Sequence, residues 1–243
     1  METTDKKEEK KVDVQVVVKN LPEDATALQF VEALLKAPQA IVSRMKGGKL
    51  ISVLTTFLGI LSFGMIAYGL IAGSFSGGEQ WIAAPVKIWV GLLLTALFCF
   101  PSFYIFSCLG QADINLKEAF ILMIAGLTLA AILLIGFAPV AWVFSQSTNG
   151  IAFMGFFHLI FWLISIAFGM RFIFAALRKF NTKKLVYVRF WVVIFIITSL
   201  QMMTALRPII GTSKDLLPKE KKFFIEHWSD CMDLKEMKLD IRD

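Results

Sequence analysis

A very long stretch without ionisable side chains is the feature that most restricts this chain. No Asp, Glu, Lys or Arg occurs over the 52 residues from Ala119 to Met170, and shorter uncharged runs lie between Lys49 and Glu79 and between Lys87 and Asp113. A spanning helix needs about 20 mostly apolar residues, and each run exceeds that length. A soluble protein of 243 residues with 57% hydrophobic content would not bury so much apolar surface. The sequence therefore predicts an integral membrane protein.

The uncharged runs divide into segments of spanning length. A polar stretch from Gln146 to Gly150 splits the longest run, and Pro208 follows the last apolar segment as a stop. We therefore predict an all-α, polytopic fold with amphipathic helices flanking a transmembrane domain over residues 50–206. Its five predicted transmembrane helices are Leu50–Gly73, Ile88–Leu109, Ala119–Phe144, Ile151–Leu177 and Val186–Leu206.

Two segments precede the first predicted span. Residues 1–23 form a charge-dense tail, in which Val12–Val18 has the alternation of a short strand. Residues 24–49 predict an amphipathic helix with Thr26 and Gln29 as a capping box and Pro38 as an interruption. Because its basic end leads directly into the apolar run, we favour a helix lying on the membrane over one packed on cytoplasmic loops.

The distribution of Lys and Arg predicts the orientation. Basic residues precede span one, and the link Arg178–Arg189 between spans four and five carries five basic and no acidic side chains. Positive loops stay in the cytoplasm, so the N-terminus is predicted inside and, after five crossings, the C-terminus outside. The chain is predicted to be a multi-pass protein of the bacterial inner membrane, or of an endomembrane if eukaryotic.

The segment 207–243 carries a second amphipathic pattern. Phe224, Trp228 and Met232 share one helical face, with charged residues on other faces. Such a helix either lies on the membrane surface or docks on another subunit, and both interpretations need the same pattern. The predicted partners are accordingly membrane lipid and other membrane subunits. Nucleic acid is not among them, because no basic stripe with interleaved readout residues occurs.

Few polar residues fall inside the predicted spans. His158 is the one histidine there, and without a second strong ligand it is interpreted as a packing residue rather than a metal or haem ligand. Gln201 and Thr204 near the outer end of span five are predicted to form interhelical hydrogen bonds, with His158 or Asn149 as partners. Arg171 is predicted to snorkel to inner lipid phosphates.

Small residues with helical spacing predict close helix contacts. Gly69 and Gly73 form such a pair in span one, and Ser165 and Gly169 form one in span four. In membranes these pairs let two helix backbones approach closely.

The functional hypotheses follow largely from missing motifs. The sequence contains no P-loop, HExxH, GxSxG or paired membrane carboxylate, so we predict no enzyme, catalytic residue, metal or cofactor. The leading hypothesis is a scaffold or accessory subunit that acts through protein partners and lipid. The second is a small-solute transporter or channel, motivated by Pro101, Pro139, His158 and Gln201. The third is a cofactor-binding subunit of a redox or light-harvesting complex.

Two segments resemble the bacterial Yip1-like membrane domain. LLKAPQAIVSRMKGGK (Leu34–Lys49) has an apolar-flanked Pro before a basic approach to the first span. PSFYIFSCLGQADINLKEAF (Pro101–Phe120) ends one span at a small-residue turn and opens the next after a short polar link. The resemblance covers about Phe30–Leu206 and implies a non-enzymatic membrane protein, since eukaryotic relatives associate with small GTPases in Golgi traffic. The tail after span five is not part of that pattern.

Overall fold

The described part of the chain is helical throughout. The computed structural model describes residue 22 and residues 25–48, 50–76, 80–147 and 151–205, and within them the chain forms seven helices and no strand. Those helices are α1 (Ala27–Lys36), α2 (Pro38–Lys46), α3 (Leu50–Ser76), α4 (Gln80–Leu109), α5 (Leu116–Ser147), α6 (Ile151–Lys179) and α7 (Val186–Ala205). Four of them, α3 to α6, are long and apolar enough to cross a membrane, and α7 is a shorter apolar helix. The all-helical, membrane-compatible fold class is confirmed, whereas Val12–Val18 and the amphipathic tail lie outside the described residues.

The helices extend beyond the apolar segments predicted for them. α4 begins at Gln80, eight residues before the predicted start at Ile88. A charged residue ended the predicted span, but a Lys side chain is compatible with an apolar helix when its ammonium group finds a polar environment. The longer helix brings Lys87 inside, together with Pro85. The longer helix therefore adds the Lys87 side chain to the polar groups within the bundle.

α5 is the central helix of the bundle. It packs along both α3 and α6, while α4 packs along α3 and α7 packs along α4. All eleven residues from Ile121 to Ala131 are buried. The middle of α5 is therefore surrounded by other parts of the protein.

Glycines allow two of these helix pairs to approach closely. A Cβ atom on Gly169 of α6 would collide with the carbonyl oxygen of Gly126 on α5, and one on Gly69 of α3 would collide with Pro85 of α4. Since both clashes involve backbone or ring atoms, no side-chain rotation would relieve them. The close contacts predicted from Gly69 and Gly169 are confirmed.

The two N-terminal helices pack on one end of the bundle. The backbone N–H of Thr26 donates to Gln29 Oε1 at 2.9 Å, and α1 stops before Pro38, which opens α2. The predicted capping box and proline break are both confirmed. The ring of Phe30 meets Phe57 of α3 edge-on, with centroids 5.6 Å apart. The apolar faces of α1 and α2 thus contact the bundle itself, through α3, α5 and α6.

Two turns join at this same end of the molecule. The Asp113 N–H donates to the Phe180 carbonyl at 2.8 Å, and the N–H groups of Lys183 and Lys184 both donate to the Gly110 carbonyl at 3.1 Å. The Lys46 ammonium lies 5.0 Å from the centroid of the Phe180 ring. We call this region the basic end, because it also carries the side chains Arg44, Arg178, Lys179 and Arg189.

α7 is joined to α4 by a buried tryptophan near the basic end. Trp191 is fully buried, and its Nε1–H donates to the Cys99 carbonyl oxygen at 3.1 Å. Its ring lies against Phe103 of α4 and Phe195 of α7, at centroid distances of 4.6 and 5.3 Å. An aromatic cluster with a satisfied indole N–H is a strong packing element.

Candidate ligand-binding cavity

The opposite end of the bundle contains a cavity. It has a volume of about 60 Å³ and is lined by all five long helices, α3 to α7. This region, the cavity end, includes the C-terminal halves of α3 and α7 and the N-terminal halves of α4 and α6. Most of the lining is apolar, and the polar residues in it are Tyr68, Lys87, Thr95, His158, Trp162 and Ser199. A space of this size admits several water molecules or a small polar group.

A hydrogen bond between α3 and α6 orients the histidine. The Tyr68 hydroxyl lies 2.6 Å from His158 Nδ1, and the two rings meet edge-on with centroids 5.5 Å apart. His158 is only 7% exposed, so its imidazole is held within the bundle. When Tyr68 donates its single proton to Nδ1, the neutral ring carries its own proton on Nε2. The contact therefore fixes the position of the imidazole, and Nε2 carries the proton in the tautomer in which Tyr68 is the donor.

Two buried polar atoms at the cavity make no hydrogen bond to any other described residue. They are His158 Nε2 and Ser199 Oγ, and Ser199 is 4% exposed. By contrast, the Thr95 hydroxyl donates to the Gly91 carbonyl at 2.8 Å and is satisfied within its own helix. Nearly all buried polar groups in folded proteins are hydrogen-bonded. These two atoms therefore lack the hydrogen bond that buried polar atoms ordinarily make.

One charged side chain lines the cavity. Lys87 is 4% exposed, and no Asp or Glu belongs to the lining among the described residues. Lys is almost never this buried unless its ammonium group is hydrogen-bonded or paired. Lys87 is therefore the charged residue in a mostly apolar lining, so far as the chain is described.

The geometry bears on metal and cofactor sites as well. Within residues 25–205, so far as they are described, no three His, Cys, Asp or Glu side chains cluster in a way that would hold a metal ion. The cavity is too small to enclose a macrocycle of haem size. His158 is the one histidine that lines this space in the described chain.

The other predicted site residues are dispersed. Gln201 is half-buried on α7 but does not line the cavity, and the described hydrogen bond of His158 goes to Tyr68 instead. Arg171 is exposed in the C-terminal half of α6, with its guanidinium 5.8 Å from the Phe168 ring centroid. The Thr204 side chain and Asn149 lie outside the described part, as do Phe224, Trp228 and Met232.

The sequence did not predict three of the residues that line the cavity together with His158. Tyr68 lies ninety residues away in the chain, and nothing in the apolar pattern of span one distinguishes it. Ser199 is one of several hydroxyl residues in apolar helices. Lys87 did carry a usable signal, because it stands alone between two strongly apolar segments. A predicted span two that included Lys87 would have added a charged residue to the polar residues expected inside the spans.

Comparison with known proteins does not assign this protein to a narrower class than the one that its fold defines. No protein-family model matches the chain, no curated protein is significantly similar to it, and no solved structure matches it. The resemblance to the Yip1-like domain therefore stays a prediction. The described fold is that of an all-helical protein with four helices able to cross a membrane.

Proposed function

We propose that this chain is a five-span, non-enzymatic membrane protein that binds a small ligand in the cavity, in the class of solute transporters and membrane-embedded binding proteins. One observation carries the proposal: His158, which contacts Tyr68 through Nδ1, and Ser199 line the same cavity, and His158 Nε2 and Ser199 Oγ make no hydrogen bond to other described residues. A buried polar atom without a hydrogen bond costs about 1–3 kcal/mol. An apolar residue would avoid that cost if the position served packing alone.

The polar residues of the cavity contrast with the chain around them. The helices that contribute them are otherwise strongly apolar, and ionisable groups within such helices are rare and generally functional. Lys87 was outside the predicted span, and the scaffold hypothesis drew support from the scarcity of buried ionisable groups. Because Lys87 lies inside α4, we favour a function in ligand binding over the scaffold hypothesis.

Five crossings are the arrangement that this proposal needs. α7 has 20 residues, so at about 1.5 Å per residue it is about 30 Å long, which matches the hydrocarbon thickness. With the basic end in the cytoplasm, the N-terminus is inside, the cavity faces the outer leaflet, and the C-terminus is outside. Reporter fusions test this topology: a fusion at Asp243 should be active only outside, and one at Phe180 only inside.

A binding and flux assay tests the ligand proposal. The purified protein in a neutral detergent is screened with small anionic, cationic, neutral and amphiphilic solutes by thermal shift, and those that stabilise it are followed into liposomes for flux. We expect at least one class to stabilise the wild type, and His158→Ala to abolish that stabilisation. Ser147→Ala, an exposed hydroxyl on α5, is the matched control and should behave as the wild type. A screen in which no class separates wild type from His158→Ala contradicts the proposal.

A scaffold or accessory-subunit role is our second proposal. It draws on the apolar face of the tail, Phe224, Trp228 and Met232, and on the amphipathic N-terminal segment. It predicts that partners co-purify in gentle detergent and that Trp228→Ala loses them, while His158→Ala retains them. A chain that purifies alone and carries out its full function alone contradicts this role. The absorption spectrum of the same preparation tests the cofactor-subunit hypothesis.

A further inference from the structure

We infer that a groove at the basic end binds an anionic phospholipid, with the phosphate at the Lys117 ammonium group and the first part of an acyl chain among α3, α4 and α5. The groove shares no lining residue with the cavity at the opposite end. The inference rests on the membrane-spanning part of the proposed function and not on the ligand of the cavity. Its support comes from the lining of the groove, its place along the helices and the charge around it.

The groove is a larger space than the cavity and lies on the surface of the bundle. It has a volume of about 270 Å³, and α3 contributes Ile51 and Leu54 to its lining, α4 contributes Phe100, and α5 contributes Phe120. Ile51 is 79% exposed, so the groove reaches the outside of the bundle. The rings of Phe100 and Phe120 meet edge-on with centroids 5.0 Å apart. The packing of three helices therefore sets the shape of this groove.

One lysine belongs to this otherwise apolar lining. Because the surface of the groove is almost entirely apolar, Lys117 contributes its methylene groups, and its ammonium group extends beyond the groove. Within the described residues that ammonium group has no ion pair or hydrogen bond. The neighbouring Glu118 carboxylate instead accepts a hydrogen bond from the Asn115 N–H at 3.0 Å. An apolar groove with a cation at its edge matches an amphiphile that carries an anionic group.

The groove begins where the apolar stretches of two helices begin. The candidate spans of α3 and α5 start at Leu50 and Leu116, and both residues line the groove. In a helix that crosses a membrane, the start of the apolar stretch lies near the boundary between headgroups and hydrocarbon. The groove extends from there to Ile121, about 8 Å further along α5. Lys117 therefore lies at the level of lipid phosphates, and the rest of the groove lies at the level of acyl chains.

The charge around the groove favours an anionic lipid over a neutral one. The turn that leads into α5 is bonded to the turn after α6, because the Gly110 carbonyl accepts from the N–H groups of Lys183 and Lys184. Both lysine side chains are exposed, as are those of Arg178 and Lys179 just before them. Basic side chains close to a membrane surface attract anionic lipids. The basic end therefore raises the local concentration of the ligand that Lys117 would bind.

Two other occupants fit the groove less well. α1 and α2 pack on α3, α5 and α6, but neither contributes a residue to the lining. A second copy docked through the same groove by two-fold symmetry would bring two Lys117 side chains together at an apolar contact. Like charges repel strongly where water is excluded. A phospholipid instead supplies both an apolar chain and a negative charge.

A matched lipid pair tests the headgroup. Phosphatidylglycerol and diacylglycerol with identical acyl chains are titrated into the full-length protein in a neutral maltoside detergent, and native mass spectrometry gives the affinity for the first bound lipid. We expect diacylglycerol to bind at least tenfold more weakly. Lys117→Met should weaken phosphatidylglycerol by about tenfold, because it removes a hydrogen bond to a charged group and keeps the methylene groups. Lys183→Met, an exposed lysine at the same end, is the matched control and should bind as the wild type.

A second variant tests the groove itself. Ile51→Glu places a carboxylate at an exposed position of the lining, where it would repel the phosphate without disturbing buried packing. We expect phosphatidylglycerol to bind at least tenfold more weakly to this variant. Val186→Glu adds the same charge at the exposed first residue of α7, outside the groove, and should bind as the wild type. Thermal unfolding of each variant checks that it is folded.

The remaining outcomes each overturn the inference or separate it from the proposed function. Equal binding of the two lipids overturns it, and so does an equal loss of affinity in Lys117→Met and Lys183→Met, which would indicate diffuse surface charge. A protein partner or second copy that co-purifies with the wild type and is lost in Ile51→Glu replaces lipid as the occupant. His158→Ala should keep phosphatidylglycerol and lose the solute of the cavity, and Lys117→Met should do the reverse. Failure of either proposal is therefore visible without the other.

Discussion

The two ends of the bundle satisfy their polar groups in different ways. At the basic end, the turns after α4 and α6 exchange three backbone hydrogen bonds, and α1 and α2 cover the helix ends. The buried Ser107 hydroxyl there donates to the Phe103 carbonyl at 2.8 Å. At the cavity end, the equally buried Ser199 hydroxyl and His158 Nε2 make no hydrogen bond to described residues. The buried serine hydroxyls at the two ends therefore differ, because Ser107 is hydrogen-bonded within its own helix and Ser199 is not bonded to any described residue.

This difference separates stability from function along the bundle. Fully packed and hydrogen-bonded groups stabilise the native state, so changing them costs free energy of unfolding. Groups held without partners contribute little or negatively to stability, and they persist where a ligand uses them. We therefore expect substitutions at the basic end to affect unfolding and those at the cavity end to affect binding. Four substitutions test this contrast, and all are measured by unfolding in an SDS titration from neutral detergent.

The largest effect is expected for Trp191→Ala. It removes a fully buried ring from the α4–α7 contact and leaves the Cys99 carbonyl oxygen without its indole donor. Loss of a buried Trp side chain costs about 3–5 kcal/mol in the free energy of unfolding. Trp142→Ala, an exposed tryptophan on α5, is the control and should cost far less. If the two variants unfold alike, the aromatic cluster does not hold α7 to the bundle.

Gly169→Ala should have the next largest effect. The added methyl group meets the Gly126 carbonyl oxygen of α5, so the two helices must separate, and we expect a loss of about 1–3 kcal/mol. Gly136→Ala adds the same methyl to α5 where no atom lies within 4 Å, and it should leave the unfolding free energy unchanged or slightly raised. Equal stability of the two variants would falsify the close α5–α6 contact.

Tyr68→Phe should have a smaller effect on stability. It removes the interhelical hydrogen bond to His158 Nδ1 while keeping the ring, and such bonds in membranes contribute about 0.6 kcal/mol on average and up to about 1.7. Tyr187→Phe, a half-buried tyrosine at the basic end, serves as the control. Because Tyr68 sets the orientation of the imidazole, ligand binding should fall more than stability does. A variant that binds normally would show that His158 needs no positioning partner.

Ser199→Ala should have the smallest effect on unfolding. Its hydroxyl is buried without a described partner, so its removal loses no hydrogen bond and should change stability by no more than about 0.5 kcal/mol. Ser107→Ala removes a buried hydroxyl that is satisfied at the basic end and should cost about 0.5–1.5 kcal/mol. The contrast between the two ends fails if Ser199→Ala is the more damaging of the pair.

Long uncharged runs were enough to predict most of the fold. The apolar segments that begin at Leu50, Ile151 and Val186 start the helices α3, α6 and α7, and Thr26, Gln29 and Pro38 shape the N-terminal segment as predicted. These features depend on residues that are close in sequence. Local propensity and periodicity therefore carry the information.

The cavity could not be predicted in the same way. Tyr68 and His158 meet because α3 and α6 both pack along α5, and which rotation each helix adopts depends on contacts such as Gly126 with Gly169. A single sequence does not reveal such pairings between distant segments. Lys87 was missed for a simpler reason, since a span was assumed to end at its first charge.

The buried middle of α5 has a consequence for biogenesis. If the helices enter a bilayer in chain order during synthesis, Ile121–Ala131 emerges before α6 and α7 have been made. Until those helices arrive, the residues that will face them would be exposed to acyl chains. Their apolar side chains would therefore contact lipid first and protein later. A polar residue on that face would be compatible with the finished bundle if it found a partner on α6, and yet delay the insertion of α5 itself.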